Sequence, residues 1–236
     1  MSTAFVAGAT GYTGRALVEE LLRRGVHTVA HVRPDSPALA MWRERFGALG
    51  AEVDSTAFDE DALAEVLSDR GVTHLFVTIG TTRKRAQATG TSASESYEQV
   101  DYGLTELLVR AAARARGDVH LVYLSSLGAS TSSRVPYLRA RGKAEEAVRR
   151  GGMPHVIVRP GAISGPDREE ARPAERLVAE AGDAVLGLAG LLGARRLRDR
   201  YHSIDARGLA AVLAQLAFDP GAAGHVFEPP WDRPVQ

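Results

Sequence analysis

Three glycines, Gly8, Gly11 and Gly14, with Thr10, Tyr12 and Thr13 among them, stand directly after an apolar run and directly before a helical pattern. A turn of this kind can hold an anion. Gly8 and Gly11 lack a Cβ, so the chain can turn tightly and bring backbone N–H groups up to a pyrophosphate. Gly14 lets the following helix pack close to the strand, and the free N–H groups and positive dipole end of that helix favour negative charge. Strand, glycine turn and helix in this order are the parts of a dinucleotide-binding βα unit. The spacing is GxxGxxG rather than GxGxxG, and a purely structural turn is the bland alternative. Arg33 follows about 20 residues after the last glycine, where an NAD site carries an acidic residue for the ribose 2′-hydroxyl. A guanidinium there suits a 2′-phosphate, and so NADP(H), through paired N–H···O bonds. The competing reading is a solvated strand-end arginine. Asp35 falls beyond Pro34, past the expected strand end.

A second set of polar residues falls where later strands end. Gly80, Thr81 and Thr82 follow the fourth strand pattern and are placed to line the adenosine side of a dinucleotide. Ser125 and Ser126 follow the fifth, and Tyr137 opens the helix after it. Taken alone, a serine pair ending a strand is a cap or turn and a tyrosine at a helix start is packing. Their position argues otherwise, because open α/β sheets bind ligands at their carboxyl edge. The histidines form no metal-ligand spacing with nearby carboxylates, and no metal is expected.

The elements that must position these residues alternate regularly. Leu17, Val18, Leu21 and Leu22 form the stripe of the first helix. Strands are expected at His27–Val32, Ala51–Val53, His74–Ile79, Val119–Leu124 and Pro154–Val158. Helices are expected at Ala38–Phe46, after an Asp59 N-cap, from Ser96 to Arg116 with a Ser96/Gln99 capping box, and at Tyr137–Arg150. The order argues for an α/β fold, a doubly wound parallel sheet of the Rossmann kind with right-handed crossovers. Residues 1–236 read as a single domain. After Gly161 the pattern loosens, and 162–236 read as a small C-terminal, substrate-side cap containing helices at Leu177–Leu192 and Ile204–Phe218.

The 236 residues suit one α/β domain with a real core. Lys+Arg and Asp+Glu both total 29, so no global charge argues for nucleic acid or an acidic membrane as partner. The absence of cysteine removes disulfides and thiolate catalysis and fits a reducing compartment. No signal-peptide pattern precedes the first strand, and the apolar stretch Ala184–Leu192 is too short to span a bilayer. A cytoplasmic location is therefore expected. Arg83, Lys84 and Arg85, and Arg195, Arg196, Arg198 and Arg200, read as solvated basic runs.

Six segments, in order, resemble an atypical short-chain dehydrogenase/reductase, most closely the Tat-interactive oxidoreductase-like branch. They are GATGYTG at Gly8–Gly14, IGTTRKRA at Ile79–Ala86, YEQVDYG at Tyr97–Gly103, YLSSLGA at Tyr123–Ala129, YLRARGKAEE at Tyr137–Glu146 and VRPGAI at Val158–Ile163. The resemblance implies NADP(H) as cofactor and a Ser/Tyr/Lys catalytic set. The serine falls on Ser126, with Ser125 as the other candidate, and the tyrosine on Tyr137. The lysine falls on Arg141, a departure from the pattern. The resemblance also puts the backbone of Arg159, Pro160 and Gly161, with Ile163 in the same motif, beside the nicotinamide. A guanidinium at 141 can lower the tyrosine pKa by Coulomb attraction but cannot relay a proton. The expected function is an NADP(H)-dependent oxidoreductase of a small carbonyl or hydroxyl substrate. The alternative is an NADP(H)-binding regulatory protein with little turnover, which Arg141 keeps open. The helix Ser96–Arg116 offers a surface for a homodimer.

Overall fold

A computed structural model describes residues 2–81, 92–165 and 203–235. Eight strands form one sheet in the order β3-β2-β1-β4-β5-β6-β7-β8. They are β1 Thr3–Ala7, β2 His27–His31, β3 Glu52–Asp54, β4 His74–Val77, β5 His120–Leu124, β6 His155–Val158, β7 His225–Phe227 and β8 Pro234–Val235. Every neighbouring pair is parallel except β7 with β8. The central strands are covered on both faces, which is why HLFV and HLVYL read as continuous apolar runs.

One face of the sheet carries helices α1 (Tyr12–Arg23) and α2 (Leu39–Leu49) and the C-terminal helix, Ala206–Ala217. Leu17, Val18 and Leu21 meet Leu209, Leu213 and Leu216 in one core cluster. The other face carries α3 (Glu60–Asp69), then α4 (Ala93–Ser96) continuing through a π-helical turn, Tyr97–Gly103, into α5 (Leu104–Arg114), and α6 (Pro136–Arg150). Leu63, Leu67, Leu108, Ala144 and Val148 share the second cluster. The C-terminal helix is α7 in chain order, N-capped by Asp205 onto the Gly208 N–H.

The expected doubly wound parallel sheet is present, with differences at particular elements. The long helix starts earlier than Ser96, because its capping box is Ser92/Glu95 rather than Ser96/Gln99. Both pairs satisfy the same sequence pattern, and the carboxylate makes the stronger cap. Strands β7 and β8 are additional. Within the stretch read as a cap, α7 packs beside α1, and β7 and β8 extend the sheet. The helix expected at Leu177–Leu192 lies outside the described residues, as do Thr82 and the two basic runs.

Candidate active site

The chain runs outward from β1 to β3 and then returns to β4, so the carboxyl ends of β1 and β4 border the switch point where such sheets bind ligands. The glycine turn sits there. Gly8 has φ +90°, and a Cβ on it would lie 2.8 Å from the Thr78 carbonyl carbon. A Cβ on Gly14 would overlap the Gly8 carbonyl oxygen, so α1 can approach the turn only with glycine at 14. The Gly11 N–H donates to the Gly8 oxygen at 3.0 Å and closes the turn. The first turn of α1 has no side-chain cap and no acidic residue. This is a backbone cradle ahead of an uncapped helix N-terminus, which fits a pyrophosphate. Thr10 is half-buried at the turn and Thr13 is buried. Tyr12 leaves the cradle: its hydroxyl donates to the Ser164 carbonyl at 3.1 Å, tying the turn to the segment after β6. That segment is fixed in turn by the bridge between Ile163 and Ile204.

Arg33 stands just beyond β2 with an exposed side chain, its only described ion pair a 3.5 Å contact to Asp35. Along the rim, the Ser125 N–H donates to the Val158 carbonyl, and the Leu127 N–H to the Pro160 carbonyl, both at 2.8 Å. These bonds draw Ser125, Ser126, Pro160 and Gly161 to one edge. The two serines then part in character. Ser125 is buried, and its hydroxyl donates to Glu145 at 2.5 Å. Glu145 also takes a two-bond contact from Arg159, at 2.7 and 2.6 Å. Ser126 is half-buried, and among the described residues its hydroxyl makes a single 3.4 Å contact, with the Leu127 carbonyl. Ser125 is thus committed to the framework, while the Ser126 hydroxyl is not.

Tyr137 opens α6 half-buried, with its ring edge-on to Tyr97 at 5.4 Å. Arg141 lies one turn further along α6 and almost fully buried. Its Nη1 donates to the Leu124 carbonyl at 2.7 Å and to the Tyr123 hydroxyl at 3.2 Å. Its Nη2 lies 2.9 Å from Asp101 Oδ1. The guanidinium also sits 5.4 Å from the Tyr137 ring centroid and 5.8 Å from that of Tyr123. Burial pushes the Tyr123 phenol up to about 12 despite the guanidinium beside it. Tyr137, Arg141 and Glu145 are spaced by four, so they line one side of α6, and Arg141 and Glu145 fasten it to the ends of β5 and β6.

Gly80 joins the site in a way its sequence position does not reveal. A Cβ on it would lie 2.5 Å from Arg141 Nη2, so glycine leaves room for the guanidinium. Thr81 donates its N–H to Asp101 Oδ2 at 3.1 Å. Asp101, Glu145 and the side chain of Arg159 are the participants that sequence reasoning missed. The available signal was charge: Asp101 and Glu145 are acidic residues on faces that otherwise pack as core. Among the described residues no cluster of three or more potential ligands could hold a metal ion, and no helix is long and apolar enough to cross a membrane.

The family model described as NAD(P)H-binding matches residues 8–185. The chain is 32% identical over 227 residues to "Protein fmp52-1, mitochondrial" of Aspergillus terreus, covering 92% of this chain and 88% of that one. It is 30% identical to "Protein FMP52, mitochondrial" of Debaryomyces hansenii, covering 94% and 90%. Among solved structures, the UDP-N-acetylglucosamine 4-epimerase of Bacillus cereus matches with a TM-score of 0.66 at 15% identity, covering 100% of this chain and 81% of that one. At that identity the likeness is one of fold. The two fungal relatives are named as mitochondrial, and this overturns the expected cytoplasmic location. The absence of cysteine had suggested only a reducing compartment, and that does not separate one such compartment from another.

Proposed function

The chain belongs to the NAD(P)H-binding family, and from that premise we propose that it is an NADP(H)-dependent oxidoreductase of a small carbonyl or hydroxyl substrate. The observation that carries this reading is the half-buried Tyr137 phenol, stacked on a buried guanidinium at the sheet edge that also holds the glycine cradle. The six motifs support placing it among the atypical short-chain dehydrogenases/reductases, in the Tat-interactive oxidoreductase-like branch.

A bound nicotinamide dinucleotide supplies or accepts the hydride. Gly8, Gly11 and Gly14 receive its pyrophosphate, with Thr10, Tyr12 and Thr13 shaping the turn. Arg33 selects the 2′-phosphate, exchanging its 3.5 Å contact with Asp35 for a better-matched anion. Gly80 and Thr81 would line the adenosine side, and Pro160, Gly161 and Ile163 would border the nicotinamide, with Ser125 holding the strand end beneath. In reduction the substrate carbonyl gains a hydride at carbon and a proton at oxygen. Tyr137 donates that proton and Ser126 orients the same oxygen. Arg141 remains charged throughout and passes no proton.

A second reading, an NADP(H)-binding regulator with little turnover, is favoured by one observation: the cation at 141 is engaged by Asp101, Leu124 and Tyr123. An NADPH-consumption screen over small aldehydes, ketones and enones separates the two. Turnover on at least one class is expected. Tight NADPH binding with no turnover on any class would favour the regulator.

A further inference from the structure

Tyr12 has its two ends in two parts of the site. Its N–H is one of the four that an α-helix leaves without an intrahelical acceptor, here at the mouth of the glycine cradle. Its side chain is half-buried, and the hydroxyl at the tip donates to the Ser164 carbonyl, beyond the end of β6. A Cβ on Gly165 would overlap that hydroxyl oxygen, so glycine at 165 leaves the place the phenol takes. Ser164 is held from the other side as well. Its N–H donates to the Ile204 carbonyl at 3.0 Å, the Ile204 N–H donates to the Ala162 carbonyl at 3.0 Å, and the Ser164 hydroxyl donates to Ser203 Oγ at 2.9 Å. Asp205, which follows Ile204, caps α7, and α7 packs on α1, the helix that Tyr12 opens. The contacts close a ring that runs from α1 through Tyr12, Ser164, Ile204 and α7 back to α1.

We propose that Tyr12 is a positioning residue for the nicotinamide half of a bound dinucleotide: its hydroxyl holds the chain after β6 at a set spacing from the pyrophosphate turn. The proposal rests on the reading above for where the nicotinamide lies, beside Pro160, Gly161 and Ile163. A dinucleotide has to reach from the turn after β1 to the exit of β6, and it is gripped at both only if the two keep their spacing. The sheet fixes the strand ends. Ala162 to Gly165 lie beyond the sheet, and their place relative to the turn comes from the bridge to Ile204 and from the Tyr12 hydroxyl. A spacing set before binding lowers the ordering cost that the nicotinamide half would otherwise carry. Phenylalanine at 12 would keep the ring and withdraw the donor from the Ser164 carbonyl. A tie that served only the turn would be felt alike by every ligand that sits on the turn.

The test compares two ligands on the full chain: NADPH, and 2′-phospho-ADP-ribose, which keeps the pyrophosphate and lacks the nicotinamide ring. NADH and ADP-ribose make the same comparison without the 2′-phosphate, so the outcome does not hang on Arg33. Wild type should bind the nicotinamide ligand of a pair more tightly than its ring-less partner. Tyr12→Phe, shown to be folded by circular dichroism, should weaken the nicotinamide ligand about fivefold, as the loss of one neutral hydrogen bond implies, and leave the ring-less ligand within about twofold. Gly165→Ala crowds the same hydroxyl from the Ser164 side without touching the turn. It should reproduce the split, and it takes the place of Tyr12→Phe if that variant does not fold. Equal losses for the two ligands, no loss for either, or a wild type that binds both equally would overturn the proposal. A wild type that binds none of the four ligands would overturn the proposal together with the reading beneath it. The full split in a protein that turns over no carbonyl substrate would leave this proposal standing and remove the oxidoreductase reading.

Discussion

At the scale of residues, the site divides into groups that face a ligand and groups that hold them. In the proposed function Arg33 belongs to the first kind. Arg33→Ala should weaken NADPH binding about tenfold and leave NADH binding nearly unchanged, as the loss of one charge-assisted contact implies. Titrating both cofactors by nicotinamide fluorescence checks this, and equal losses for the two would refute the assignment. Arg141 belongs to the second kind. The motif alone makes lysine at 141 look harmless, but the structure argues the reverse. Arginine reaches Asp101, Leu124 and Tyr123 with two nitrogens in a planar fork, which a single ammonium cannot reproduce. Arg141→Lys should destabilise the fold by about 1–3 kcal/mol in urea unfolding. The glycine turn, Ser126 and Tyr137 were legible as candidates because their types and spacing recur in a short motif. Asp101 and Glu145 were not, because the one signal they carry, a charge on a face that otherwise packs as core, does not name the cation, distant in sequence, that stands beside it.

At the scale of elements, the alternation of apolar runs and amphipathic stripes was sufficient to place the first six strands and the helices between them. Strand β7 escaped because His225–Phe227 is only three residues long and gets its stability from pairing with β6. The π-helical turn escaped because YEQVDYG has an ordinary helical pattern, and the contacts of Asp101 and Thr105 there are not written in local periodicity. The strands share a feature with a thermodynamic consequence: β2, β4, β5, β6 and β7 all begin with histidine. On the central strands, His74 and His120 have ring centroids 5.6 Å apart, and Phe218 covers His74 at 4.3 Å. Burial, with His120 beside it, holds the His74 imidazole down at about 4. Burial also lowers His120, with His155 adding to the effect. These groups are neutral in the fold and take up protons more readily once unfolded, so their stabilisation is present above about pH 6.5 and is lost as pH falls towards 4. Allowing for its partial exposure, His74 accounts for on the order of 1–2 kcal/mol of this loss. Urea unfolding at pH 7, 6 and 5 should show a progressive decline that His74→Asn makes shallower. A flat wild-type profile over that range would contradict the account.

At the scale of the whole molecule, the sheet order brings the glycine cradle, the serine loop and the VRPG segment to one carboxyl edge, while the histidines that open strands lie at the opposite edge. Binding at one edge of a cooperative domain stabilises all of it. NADPH at about 100 times its dissociation constant should raise unfolding stability by about 2.7 kcal/mol. Gly14→Val should abolish that gain by forcing α1 away from the Gly8 carbonyl, and a folded variant with the full gain would show that the turn is not the cradle. The central claim is that this cradle serves a reaction in which Tyr137 supplies a proton, and a single comparison bears on it most directly. On the best substrate found for wild type, NADPH consumption is measured with Tyr137→Phe at saturating cofactor. The substitution keeps the ring against Tyr97 and Arg141 and removes only the phenolic proton, so kcat should fall by about 100-fold or more with NADPH affinity little changed. Turnover that survives Tyr137→Phe at near wild-type rate would contradict the claim.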